Sequence, residues 1–114
     1  MKLYKIIKDI FNRYRNYNEN EIDYQNAKII LKNDKECILL DVRSPQEYKE
    51  NHLDGSINIP VYDISKKIEE IVPNKEKQII VYCQSGNRSR KAIEILNKKG
   101  YTKLYNIAGG LDNI

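Results

Sequence analysis

The sequence predicts an α/β domain with a mostly parallel sheet. Three observations point to it: short apolar runs alternate with amphipathic stretches, helix-capping residues stand between them, and the links are short. At 114 residues, 40% apolar and 32% charged, the chain has room for one globular domain and an appendage. A domain of this size builds a core without disulfide staples, and its composition argues against disorder.

The appendage comes first. Leu3, Ile6, Ile7, Ile10, Phe11 and Tyr14 recur at helical spacing, with charges on the other face. Residues 1–15 hold five basic side chains (Lys2, Lys5, Lys8, Arg13, Arg15) against Asp9, or 5 − 1 = +4; the other 15 basic and 15 acidic residues cancel. The basic pI of about 9.0 therefore belongs to the tail and is no argument for nucleic-acid binding by the domain. The tail is too polar to span a membrane or to serve as a secretory core. It reads either as a helix packing on the domain or a second copy, or as one adsorbing to an anionic membrane surface. Asn16 to Asn20 is turn-like, so the expected partition is 1–20, basic amphipathic helix and linker, and 21–114, folded domain.

Asp23 is placed to cap a helix over Tyr24 to Lys32, with Ala27, Ile30 and Leu31 facing inward. Cys37-Ile38-Leu39-Leu40-Asp41-Val42 is an apolar run ending in charge, the pattern of a buried parallel strand. Ser44-Pro45-Gln46-Glu47 forms a capping box with proline at the first helical position. That helix must be short, because Asn51 to Gly55 reads as loop. Ser56 to Pro60 reads as a strand with Ile57 and Ile59 alternating; a helix near Tyr62 to Ile71 is stopped by Pro73-Asn74. Ile79 to Tyr82 is the central strand, and Arg90 to Lys99 an amphipathic helix with Ala92, Ile93, Leu96 and Ile95 inward and Gly100 as terminator. Leu104 to Ile107 is the last strand, before Gly109-Gly110.

Between central strand and helix lies Cys83-Gln84-Ser85-Gly86-Asn87-Arg88-Ser89. A strand, a tight polar loop and a helix in that order let several amides converge on one thiol, a setting that favours an anion. Gly86 permits close approach or positive φ, no proline removes an amide, and the helix N-terminus and Arg88 add positive charge. The thiol pKa is expected to fall and Cys83 to act as a nucleophile. His52, the one histidine, belongs to another loop, so a cysteine–histidine pair is not expected; electrostatic preorganisation must serve instead. With no CxxC pair there is no zinc spacing and no cofactor is expected; two unpaired cysteines suggest a reducing, cytoplasmic setting.

Leu40 to Tyr48, His52 to Pro60, Ile80 to Ser89, Gly100-Tyr101 and Ala108-Gly109-Gly110-Leu111 occur in an order that resembles the single-domain rhodanese-like sulfurtransferases. The likeness runs from about Tyr24 to the end. It implies a three-layer fold, a five-stranded parallel sheet flanked by helices. It also implies that Cys83 takes a sulfane sulfur from thiosulfate or another small-molecule donor, holds it as a persulfide and passes it to cyanide, a thiol or a protein acceptor. Gln84, Ser85, Gly86, Asn87, Arg88 and Ser89 would bind the donor and steady the persulfide, with Arg88 gathering the anion. The alternative is a non-catalytic sulfur-carrier or regulatory module on the same fold. Two departures stand out: Asn51 replaces the family's usual glycine before the histidine, and Ile114 stands near the usual terminal aromatic, so the last helix is expected to be short or absent. Phosphatases on this fold place five residues between cysteine and arginine. Here there are four, Gln84 to Asn87, a tighter ring suited to one extra sulfur.

Other polar residues read as structural. Glu47 is expected to pair with Arg43, Asp41 to face the cleft from a strand end, and His52 to bond within its loop. Cys37 reads as a small core residue, Tyr82 and Tyr105 as packing on or beside the sheet, and Gly109-Gly110 as a turn that borders the cleft.

Overall fold

The computed structural model describes residues 20–114 together with Leu3, Ile6 and Ile7. The remainder of the expected N-terminal helix lies outside the described residues; Leu3, Ile6 and Ile7 are helical and exposed. In chain order the elements are β1 (Glu21–Ile22), α1 (Tyr24–Asn33), β2 (Ile38–Asp41), α2 (Pro45–Glu50), β3 (Ile57–Asn58), a 3-10 turn (Val61–Asp63), α3 (Ile64–Ile71), β4 (Ile79–Tyr82), α4 (Asn87–Lys98), β5 (Leu104–Ile107) and a closing 3-10 turn (Gly110–Asn113). The sheet has order β1-β5-β4-β2-β3 with every pairing parallel, so β4 is central.

Strand alternation divides the core in two. Leu40, Ile79 and Val81 point to the face covered by Ile64 and Ile68 of α3 and Ala92, Ile93 and Leu96 of α4. Leu39, Ile80, Tyr82 and Ile107 point to the other, where Ala27 of α1 is buried. The result is the three-layer architecture implied by the resemblance.

Local chemistry sets the helix ends. The Asn26 amide donates to Asp23 Oδ1 at 2.7 Å, starting α1. Both bonds of the Ser44–Glu47 capping box form, at 3.1 and 3.2 Å, with Pro45 opening α2. At the end of α4 the Tyr101 amide donates to Leu96 O and the Gly100 amide to Asn97 O, with Gly100 at φ 97°, a Schellman close.

Three expectations change. Strand β1 was not visible, because two residues carry no periodicity; it exists because Glu21 and Ile22 add to the edge of β5, opposite Asn106 and Ile107. Strand β3 is two residues rather than five: Ile57 is exposed on the sheet edge while Ile59 is buried beyond the strand. Helix α4 begins at Asn87, three residues before Arg90, so the last three of the cysteine loop's seven residues lie in its first turn.

Candidate active site

Cys83 follows the last residue of β4, where a parallel sheet leaves its strand ends open and the next helix must turn back. Gly86 makes that turn at φ 106° and serves as N-cap of α4. The geometry aims the Gly86 amide at the Cys83 sulfur, N to Sγ 3.0 Å. Ser89, buried in the first turn of α4, brings its hydroxyl to 3.4 Å from the same sulfur and to 3.0 Å from Gly86 O. A serine has one hydroxyl proton, so a thiolate at position 83 draws it away from the Gly86 carbonyl. Cys83 is only 1% exposed. Burial pushes the thiol pKa up, but the Ser89 hydroxyl and the amides of Ser89, Gly86 and Ser85 outweigh it and hold the pKa below the ordinary value.

The carboxyl-terminal turn presses on the loop from behind. The Leu111 amide donates to Cys83 O at 3.0 Å and the Asp112 amide to Gln84 O at 2.9 Å. Only glycine fits at position 110: its φ is +63°, and a Cβ there would collide with the Cys83 and Gln84 carbonyl oxygens. The Gln84 side chain is held at both ends, donating to Asp112 Oδ1 at 2.6 Å and accepting from Arg43 Nη1 at 3.3 Å.

The ion pairs differ from expectation. Arg43 does not reach Glu47. Its guanidinium bonds Asp41 from Nε and Nη2, at 2.8 to 3.2 Å, and donates to Asn51 O. Asp41 is fully buried in this pair rather than facing a cleft, because a carboxylate at a covered strand end must be matched by charge and donors. Glu47 instead takes Arg88 in a two-pronged pair, Nη1–Oε1 2.7 Å and Nη2–Oε2 3.0 Å. That bond, opposed by burial and aided by Ser44, pulls the Glu47 pKa down to about 2. Arg90, one turn into α4, pairs with Glu21 of β1 at 2.6 Å.

Of the residues singled out from sequence, Ser85, Gly86 and Ser89 turn their amides toward the sulfur, whereas the Arg88 side chain is committed to Glu47. His52 donates from Nδ1 to Tyr48 O, 2.7 Å, and stacks on the Tyr48 ring, as a loop residue. The Tyr82 hydroxyl receives the Leu53 amide and donates to Ser56 Oγ, tying the loop after α2 to the sheet. Cys37 sits level with Gln78, so Cys83 lies five residues further along the sheet, about 16 Å away at strand rise. No disulfide spans that gap. Glu21 and Asp112 were missed, since nothing near them in sequence marks their partners; Gly110 lies in the double glycine read as a turn beside the cleft.

Among the described residues, one cleft opens beside Asp34, Lys77 and Lys103 at the opposite end of the sheet and another beside Tyr24, Lys28 and His52; neither borders Cys83. Among the described residues no His, Cys, Asp or Glu group could hold a metal, and no helix is long and apolar enough to cross a membrane.

Comparison with known proteins agrees with this geometry. The family model described as "Rhodanese-like domain" matches residues 24–114. The chain is 44% identical over 75 residues to the thiosulfate sulfurtransferase PspE of Escherichia coli, covering 66% of this chain and 71% of that protein. It is 30% identical over 92 residues to a sulfurtransferase of Allochromatium vinosum, covering 81% and 84%. A solved structure titled "rhodanese with anions from E. coli" superposes with TM-score 0.61 at 42% identity, over 68% of this chain and 89% of that one. With its five parallel strands, its covering helices and a cysteine loop between β4 and α4, the chain belongs to the rhodanese-like domain family.

Proposed function

We propose that residues 21–114 form a sulfurtransferase domain in which Cys83 is the nucleophile. The thiolate attacks the outer sulfur of a donor such as thiosulfate; the Cys83 S–S bond forms, the donor's S–S bond breaks, and sulfite leaves with the electron pair. The product is a persulfide carrying one negative charge. A thiol or cyanide then attacks its terminal sulfur and returns the Cys83 thiolate, chemistry of the same kind as thiol–disulfide exchange.

The observation that carries this reading is the pair of donors on one sulfur: the Gly86 amide at 3.0 Å and the Ser89 hydroxyl at 3.4 Å, at the mouth of α4. Those donors, with the remaining amides of Gln84, Ser85, Asn87, Arg88 and Ser89, stabilise an anion without needing a histidine. Arg88 contributes as part of an ion pair rather than as a free anion clamp. No cofactor takes part. A reducing, cytoplasmic setting suits two free thiols too far apart to pair, and the basic tail is the segment that would meet a membrane surface.

Intact mass spectrometry before and after thiosulfate tests the proposal. The expected result is a gain of one sulfur, mapped to Cys83 and removed by cyanide. The deep burial of Cys83 favours one second reading, a sulfur-carrier or binding module that does not turn over. A protein that gains sulfur from a persulfide donor yet releases none to cyanide or thiols would select that reading. A chain inert to every donor would end both.

A further inference from the structure

Among the described residues, each arginine beside the cysteine loop is matched by a carboxylate. Arg43 faces Asp41, Arg88 faces Glu47 and Arg90 faces Glu21. Asp112, bound to Gln84, is a fourth acid without a fourth arginine, so these described side chains sum to 3 − 4 = −1 before the sulfur's own charge. Such a surround does not draw in a dianion. Bringing thiosulfate to a thiolate sets two charges against one, and a monoanion halves that repulsion.

Among the three pairs, Glu47–Arg88 is the most exposed. Its side chains are 32% and 39% exposed, against 21% and 37% for Glu21–Arg90 and full burial for Asp41–Arg43. Glu47 is also fixed before the arginine arrives. Its Oε1 accepts the Ser44 amide while its own amide donates to Ser44 Oγ, so the capping box holds the carboxylate in place. An ordinary exposed pair loses much of its attraction to side-chain entropy; this one has half of that ordering already supplied by the helix start. Arg88 in turn senses the Cys83 charge as well as Glu47. Its position suits an anion clamp, and its partner cancels that use.

We infer that Glu47 is a specificity-determining residue. By holding Arg88 in a two-pronged pair, it biases the Cys83 site toward sulfane-sulfur donors of lower charge than thiosulfate, persulfides of small thiols and monoanionic thiosulfonates among them. The inference rests on the sulfur-transfer reading above and names the donor class for it. The chemical step is the same for each donor: Cys83 gains the outer sulfur, and sulfite, sulfinate or thiolate leaves with the electrons of the broken S–S bond.

Thiosulfate and benzenethiosulfonate make a matched test, since both present a sulfane sulfur on a sulfonyl group and differ by one charge. The quantity read is the ratio of their second-order rate constants for persulfide formation on Cys83, followed by mass. Glu47→Gln keeps a capping-box side chain at N3 and frees the Arg88 charge. It should raise the thiosulfate-to-benzenethiosulfonate ratio about tenfold at low salt, an effect that fades as ionic strength rises. Arg88→Gln should move the ratio the other way. Glu69→Gln breaks pairs with Lys75 and Lys99 at the far end of α4 and should leave the ratio unchanged. A ratio unaltered in Glu47→Gln, with Cys83 still loaded by both donors, overturns the role of Glu47 and leaves sulfur transfer standing. If neither donor loads the wild-type protein, both readings are overturned.

Discussion

The two ends of the sheet each hold a cysteine, and the two thiols are pushed in opposite directions. Cys37, just before β2 at the amino end, is half-buried, and its pKa is driven up to about 11, first by burial and then by the Asp34 carboxylate. Cys83, just after β4 at the carboxyl end, is buried more completely, yet its pKa lies below the ordinary thiol value. Burial alone therefore does not decide the reactivity of a thiol in this fold. The difference is what surrounds the sulfur. Cys37 has a weak contact to Ile38 O at 3.8 Å and one backbone bond from Ile80 that burial outweighs, whereas Cys83 has amide and hydroxyl donors converging from a helix start. Strand direction explains the asymmetry. In a parallel sheet the helices begin at the carboxyl end, so only that end collects unpaired N–H groups.

The widest separation is expected from removing each sulfur in turn. Cys83→Ser should abolish sulfur uptake from thiosulfate, while Cys37→Ser should retain it within about twofold, by intact mass. Loss of uptake in both would mean the two ends are coupled. In the same single-cysteine proteins, pH profiles of iodoacetamide labelling should place the Cys83 midpoint below 9.0 and leave Cys37 still rising at pH 10. A Cys83 midpoint at or above 9.0 would remove the contrast.

Backbone geometry comes next. Gly110→Ala meets the Cys83 and Gln84 carbonyls and an unfavourable φ together, and should cost about 2–3 kcal/mol in urea unfolding. Gly55→Ala, at φ 81° with nothing within 4 Å, should cost only about 1 kcal/mol. Equal losses would show that the carboxyl-terminal turn does not brace the loop. Ser89→Ala should lift the labelling midpoint of Cys83, since the hydroxyl that helps hold its pKa down is lost.

The smallest effect belongs to acid stability. The Glu47 pKa falls on folding from 4.5 to about 2, so its contribution is complete above pH 4.5 and disappears as pH drops through 2. With about a third of the side chain in water, that contribution is discounted to about 1 kcal/mol. Glu47→Gln should erode the difference in stability between pH 5 and pH 2 by that amount; an identical pH dependence would place the stabilisation elsewhere.

The parts of this molecule that were legible beforehand are those whose partners are near in sequence. The Asp23 cap, the Ser44–Glu47 box and the Gly100 terminator each involve residues a few positions apart, and all three form as read. The cysteine loop is legible for the same reason, since its sulfur, turn glycine and amide donors are contiguous. The ion pairs were not. Glu47 stands four residues from Arg43 and 41 from Arg88, and spacing favours the near arginine. The fold prefers the distant one because Arg43 turns into the buried end of β2 to satisfy Asp41. Strand β1 escaped notice likewise, being an edge addition whose register depends on β5 alone.

By itself the chain's sequence determined the alternation of strands and helices, the helix ends, and the placing of one thiol at the start of a helix. These follow from side-chain spacing and backbone chemistry acting over a few residues. Only the tertiary structure decided which arginine meets which carboxylate, that Gly110 must stay bare against the Cys83 carbonyl, and that the two cysteines occupy opposite ends of the sheet. With 20 basic and 16 acidic side chains to combine, charge pairing is degenerate along the chain, and packing is what resolves it.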